Sequence, residues 1–252
     1  MKLTIRIILV LLLSLPLLAD EKDVDPANLT QVNTFVFTQL GNEEATLMGG
    51  LSGTITNDLS YLILLEYART HDRDFDDKND RGRARVFGVH QVDNNVISAI
   101  GVSIDYIKVA KKVDGNGNFL ESSTQAYGVI AKVETGLAWL SIYPNVAYVN
   151  TTIKGFNGND FNLDSNGYLL NLFASIYLNE EGRYLMLQPQ YTDTKYVKIK
   201  KIEVSYGEPI STNKRWWVEL RVAYEENKID SGTLESSSNS KSMINLGLAY
   251  YF

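Results

Sequence analysis

The 252-residue chain has no cysteine, a formal charge of −6 and an ordinary 44% of hydrophobic residues. The absence of cysteine excludes disulfides, thiolate metal sites, a cysteine nucleophile and an N-terminal lipoprotein anchor. The acidic balance leaves no basic surplus to neutralise nucleic-acid phosphates, and the hydrophobic content implies no helical membrane protein.

The first predicted element is a targeting segment. Lys2 and Arg6 precede an apolar run from Ile8 to Ala19, and the polar stretch DEKDVDPAN follows. A basic start, a short apolar centre and a small residue at Ala19 predict a secretory signal peptide over 1–19. The run is shorter than the roughly 20 residues that a membrane-spanning helix needs. Residues 20–28 are expected to form a short periplasmic segment, and 29–252 a single domain.

Beyond residue 29 the chain alternates with period two, which places successive side chains on opposite faces of strands. LSYLILLEY puts Leu59, Tyr61, Ile63, Leu65 and Tyr67 on one face, against Ser60 and Glu66. VISAIGVSIDY, GYLLNLFASIYL, KIEVSY and RWWVELRVAY repeat the pattern. One face is continuously apolar and ends in Tyr or Trp; the other mixes charges, small residues and aromatics. The predicted strands are 30–40, 44–55, 59–70, 83–92, 96–109, 124–134, 137–149, 167–178, 183–193, 196–210, 215–225 and 242–252.

The connections alternate too. TND (56–58), DNN (93–95), ETG (134–136), NEEGR (179–183) and STNKR (211–215) are tight polar turns. HDRDFDDKNDRG, KKVDGNGNFLESS, NTTIKGFNGNDFNLDSN and EENKIDSGTLESSSNSK are long, with GNE (41–43) and TDT (192–194) as short exceptions. Short turns at one end, longer loops at the other and an apolar face edged by aromatics describe a bacterial outer-membrane barrel. Within lipid every strand edge must be paired, so the sheet closes. The expected fold is all-β: a closed antiparallel transmembrane β-barrel of about twelve strands, with both termini on the periplasmic side.

The chain ends INLGLAYYF, an alternating strand whose last residue is aromatic. This stretch resembles the terminal strand of Gram-negative outer-membrane β-barrel proteins, whose C-terminal aromatic is a recognition signal for the assembly machinery. Leu248, Tyr250 and Phe252 carry the likeness. Together with the signal peptide and the strand–loop rhythm it covers nearly the whole chain. In size the chain is similar to autotransporter translocator barrels, especially solitary ones, and to small porin-like proteins. The resemblance implies an outer-membrane location, lipid and lipopolysaccharide as surroundings, and the barrel-assembly machinery as partner. One departure stands out: autotransporters thread a helix through the barrel before the first strand, and Asp20–Leu29 is too short and too rich in Asp and Pro to form one.

Function is less legible. Glu66, Asp105, Lys132, Glu134, Lys201, Glu203, Glu219 and Arg221 fall on the inward phase, joined by Trp139, Tyr143, Phe173, Tyr177 and Trp217. They line a narrow polar channel or fill the lumen, since twelve strands lie between filled small barrels and open porins. With Pro209 opposite Arg215 across STNKR, Glu203 faces Arg221 and Ser205 faces Glu219. The only histidines are His71 and His90. HDRD sets His71 beside Asp72 and Asp74, a pattern that serves a general base but more simply describes a solvated acidic loop; His90 reads as a wall or girdle residue. GGLSGT (49–54) lacks the spacing of a nucleophile elbow, so its glycines mark close backbone approach. NLDSNG (162–167) matches the first half of a calcium loop, but Phe173 stands where a bidentate Glu is required. The expectation is a passive small-solute channel or a solitary translocator-like scaffold, without enzymatic activity, metal or cofactor. The alternative is an outer-membrane hydrolase, of protease or phospholipase type, with a rim site near His71. Oligomeric state is not readable.

Overall fold

The computed structural model describes residues 24–70, 79–112, 119–156, 161–229 and 237–252. Twelve strands occupy nearly all of them: β1 (Phe35–Gly41), β2 (Glu44–Thr56), β3 (Leu59–Thr70), β4 (Asn79–Gln91), β5 (Ile97–Lys112), β6 (Phe119–Val133), β7 (Leu140–Phe156), β8 (Phe161–Tyr177), β9 (Tyr184–Thr194), β10 (Val197–Pro209), β11 (Trp216–Ile229) and β12 (Ser237–Tyr251). Each pairs antiparallel with its sequence neighbours, and β12 returns to β1 to close the barrel. The closing seam runs from Phe35 opposite Tyr251 to Gly41 opposite Asn245. Followed through all twelve pairings, a position returns to β1 displaced by about 14 residues, a stagger that tilts twelve strands by about 40° to the axis.

The wall is inside-out relative to a soluble protein. Ile63, Leu65, Val102, Ile104, Val146, Val222, Ile244 and Leu246 are exposed on the outer face. Their strand neighbours Leu64, Glu66, Asp105, Ala147, Ala223, Met243 and Asn245 are buried inside. Tyr67, Tyr106, Tyr127, Tyr148, Tyr168, Tyr191 and Tyr224 belt the outer face toward the loop end, with Tyr127, Tyr148 and Tyr168 in direct cross-strand register. At the opposite end, where β1 begins and β12 ends, the Tyr250 ring lies 4.8 Å from Trp216 and 5.0 Å from Phe252. Among the described residues no charged side chain faces outward between these belts. An apolar band bounded by aromatics is the lipid-facing surface of a transmembrane barrel, and the chain has that fold.

The boundaries differ from the expected ones where the hydrophobic signal fails. β1 starts at Phe35 rather than at residue 30, because the chain before Thr34 turns into the lumen. Toward the loop end β5, β7 and β11 run on, and β4, β6, β8 and β12 begin earlier than expected. These extensions alternate Ser, Thr, Asn and Lys. Both faces meet water beyond the lipid band, so the pairing there carries no apolar period. NLDSNG therefore lies within β8, with Asn162 to Gly167 paired to β7, an extended backbone that does not wrap an ion.

Inward glycines admit rings from the next strand. Gly207 pairs with Tyr184 and Gly50 with Phe35; at either glycine a Cβ atom would enter the ring. For Gly50, within GGLSGT, this is the close approach the sequence suggests.

Candidate functional site: the lumen

The inward side chains form two tiers. The upper, toward the loop end, is charged on two walls. On β4, Arg81, Arg83 and Arg85 recur every second residue and so share the inner face. Arg81 Nη2 bridges Glu66 on β3 at 2.9 Å and Glu44 on β2 at 3.1 Å. Arg83 Nε and Arg85 Nε both donate to Asp105 Oδ1 on β5, at 2.7 and 2.8 Å. Arg83 Nη1 also lies 3.9 Å from Glu66 Oε2, so the three arginines and the carboxylates of Glu44, Glu66 and Asp105 form one connected network on the inner face.

The second charged wall spans β10 to β12. Lys201 Nζ sits 2.8 Å from Glu203, and Arg221 bonds Glu219 and reaches Glu203 at 4.0 Å. Tyr184 Oη donates to Glu219 at 2.8 Å, and Lys241 pairs with Glu225 at 3.4 Å. Between these walls β6 to β9 present uncharged groups, including Thr124 and Thr151, whose hydroxyls are 3.0 Å apart, and the buried Ser165 and Thr192.

The lower tier is filled. Phe37, Tyr184, Met186, Trp217 and Ala249 form one buried cluster; Phe87, Val89, Ala99, Ile130 and Tyr143 form another. Between them lies the chain before β1. Ala27 belongs to the first cluster, Leu29 packs against both, and Val32 against the second. Ser175 Oγ donates to Ala27 O at 2.9 Å, Tyr177 Oη to Asp25 Oδ2 at 2.8 Å and Tyr143 Oη to Asn28 Oδ1 at 3.2 Å. Asp25 and Asn28 in turn accept from the amides of Ala27 and Thr30, the side-chain-to-backbone turns these residue types favour. Ala27, Tyr143 and Ser175 are 0% exposed, so water does not pass between segment and wall there.

Of the sequence-expected lumen residues, Glu66, Asp105, Lys132, Lys201, Glu203, Glu219 and Arg221 lie on inward-facing strand positions, as do Tyr143, Phe173, Tyr177 and Trp217. Two do not. Glu134 follows the end of β6, exposed in the 134–139 turn, with its amide bonded to Val96 O. Trp139 lies in the same turn, 51% exposed. Both keep the parity of their strands but lie past the last paired residue, where parity no longer sets direction. The β10–β11 register also differs by two: Pro209 faces Trp217, Ser205 faces Arg221, Gly207 faces Glu219 and Glu203 faces Ala223. The turn 210–215 is wider than a tight STNKR hairpin, with Lys214 N bonded to Ser211 O and Ile210 N to Trp216 O. An even shift leaves every side chain on its face, so Arg221 still reaches Glu203 diagonally.

The arginine ladder is absent from the sequence-derived set. Its signal is the run RGRAR, in which Arg alternates with Gly82 and Ala84. Small outward residues hide the alternation when only large apolar ones are counted. His71, Asp72 and Asp74 lie outside the described residues. His90 faces outward near the turn end of β4, away from the lumen.

No family model matches the chain, and no curated protein matches it in sequence. Solved barrels match in shape. The translocator domain of the autotransporter NalP from Neisseria meningitidis aligns with a TM-score of 0.56 at 11% identity, over 90% of this chain and 91% of that one. The KdgM porin in complex with disordered oligogalacturonate gives 0.49 at 11%, over 88% and 99%. LpxR from Salmonella typhimurium gives 0.46 at 8%, over 87% and 100%. The NalP alignment, at 11% identity, shows the fold alone: a closed β-barrel of the outer-membrane type.

Proposed function

We propose that the protein is a non-enzymatic small-solute channel of the outer membrane, held shut by its own residues 24–33. Export by the 1–19 signal peptide and insertion by the barrel-assembly machinery through the C-terminal strand bring it there, with lipopolysaccharide facing its outer belt. One observation carries the reading: a charged, water-facing vestibule ends on a chain segment rather than on the wall alone. Among the described residues, hydrogen bonds from Ser175, Tyr177 and Tyr143 and a patch of apolar contact hold that segment, an interaction that can be undone without unfolding any strand.

The test is single-channel recording in planar bilayers. The chain from Asp20 should be mostly silent, while a chain beginning at Thr34 should show stable openings. A second variant, Tyr143→Phe with Ser175→Ala and Tyr177→Phe, should open more often than wild type with the segment still present. A folded, heat-modifiable truncation that stays silent would end the channel reading in favour of a scaffold.

A further inference from the structure

The outer face carries an imbalance of charge that the wall's own pairing does not resolve. Just beyond the tyrosine belt the described outward charges of β3 to β6 are matched. Arg69 pairs with Asp80 at 3.6 Å and Lys108 with Glu121 at 3.1 Å. On β10 and β11 the arrangement differs. Lys198 and Lys228 lie directly opposite each other across the strands, and both are exposed on the outer face. Like charges in direct cross-strand register destabilise a sheet. Lys200 stands two residues along from Lys198, opposite Glu226 and beside Tyr191 on β9, and Lys195 stands in the adjoining 195–196 turn.

Two carboxylates share this patch, and belt tyrosines already engage both. Tyr191 Oη donates to Asp193 at 2.9 Å and Tyr224 Oη to Glu226 at 3.0 Å. Asp193 also takes Lys198 at 3.4 Å. Among the described residues neither Lys200 nor Lys228 has an ion-pair partner. Among the described residues four lysines against two occupied carboxylates therefore leave a surplus of positive charge, one side-chain layer above the lipid band. Lysine suits a phosphate as a flexible point charge.

We propose that the loop-end outer face of β9 to β11 binds the phosphate groups of a phosphorylated glycolipid of the outer leaflet, of the lipid A type. Lys198, Lys200 and Lys228 are the phosphate ligands, and the acyl chains lie along the apolar band beneath, over Ile202 and Val222. The assignment rests on the loop end facing the outer leaflet, as proposed above. A phosphate between Lys198 and Lys228 turns their repulsion into a bridge, which accounts for a like-charge pair at a position where any polar residue would serve.

Detergent-refolded protein, incubated with diphosphoryl lipid A and read by native mass spectrometry, tests the site. Wild type should retain one lipid A molecule. The triple variant Lys198→Gln, Lys200→Gln, Lys228→Gln should bind about a hundred-fold more weakly, the sum expected for three lysines near an anionic surface. Lipid A stripped of its phosphates should bind both proteins equally weakly, and inorganic phosphate should not displace the lipid. Displacement would mean that a free anion, not a lipid, is the ligand, and would overturn the proposal. A thermal readout guards against mere loss of fold: Lys228→Gln should raise the unfolding temperature without lipid and lose the rise that lipid A gives wild type. A heat-modifiable barrel whose lipid A retention survives the triple substitution overturns the site alone. A chain that shows no heat-modifiable form overturns the membrane reading, and the site with it.

Discussion

Near the turn end of β8 the Tyr177 hydroxyl donates to Asp25 Oδ2 at 2.8 Å, across a sequence separation of 152. This bond ties the segment before β1 to the far wall. With the Ser175–Ala27 bond beside it, it determines whether the lower lumen is chain or space.

Removing that hydroxyl should loosen the segment and nothing else. A hydrogen bond to a charged group contributes about 1.5–3 kcal/mol, so Tyr177→Phe should raise the local opening equilibrium at Ala27 and Thr30 by roughly ten-fold or more. Native-state hydrogen exchange reads this directly. Faster exchange at those amides, with β8 unchanged, is the expected result; faster exchange throughout β8 would assign Tyr177 to the wall and not to the segment.

The charged wall on β10 to β12 should behave as one unit. Glu203 is buried and sits between Lys201 and Arg221, while Arg221 also bonds Glu219. Arg221→Ala leaves two inward carboxylates short of a partner and should cost about 3 kcal/mol, the range for breaking a buried pair. Adding Glu203→Gln should return part of that loss. Urea unfolding of the refolded barrel measures both, and strictly additive effects would show that the network is not coupled.

The sequence was most legible where lipid imposes a rule. Alternation in LSYLILLEY and RWWVELRVAY gives the face of every residue, because a one-residue slip would expose Glu66 or Glu219 to hydrocarbon. It was least legible where water meets both faces. Residues 150–156 and 161–166 read as loop because Ser, Thr and Asn pair without an apolar signature. The β10–β11 register slipped by two because a polar turn can close at several widths with the same parity. Residues 25–32 gave no sign of their place: Asp25, Asn28 and Thr30 are turn formers in any setting, and only their partners Tyr143, Ser175 and Tyr177, far along the chain, put them in the lumen.

Packing of rings over glycines sets a limit on the lower tier. Gly207 on β10 faces Tyr184 on β9, and a Cβ atom there would enter the ring. Tyr184 is 2% exposed and lies 6.2 Å from the Trp217 ring, so it has little room to move. Gly207→Ala should destabilise the barrel by about 1–3 kcal/mol, the cost of overpacking, and Tyr184→Ala in the same background should cost less than it does alone. A Gly207→Ala barrel with an unchanged urea midpoint would show that the ring can yield.

The C-terminal aromatic can be tested for two roles that the fold superimposes. Phe252 donates its amide to Thr34 O, and its ring meets the outward Tyr250, which meets Trp216. As a girdle residue it contributes one peripheral backbone bond and one aromatic contact, together about 1–3 kcal/mol. That loss is small for a closed barrel whose other strand pairs are intact. Deleting Phe252 should therefore leave refolding into detergent nearly unchanged and shift the urea midpoint only modestly. If the residue also serves as a signal for the assembly machinery, the same deletion should lower the amount of barrel in the outer membrane several-fold, and Phe252→Trp, which keeps a terminal aromatic, should restore it. Heat-modifiable barrel in isolated outer membranes is the quantity to compare. Equal cellular levels of the deletion and the wild type would leave Phe252 with the girdle role alone, whereas a deletion that also fails to refold in vitro would trace the cellular loss to stability of the β1–β12 seam rather than to recognition.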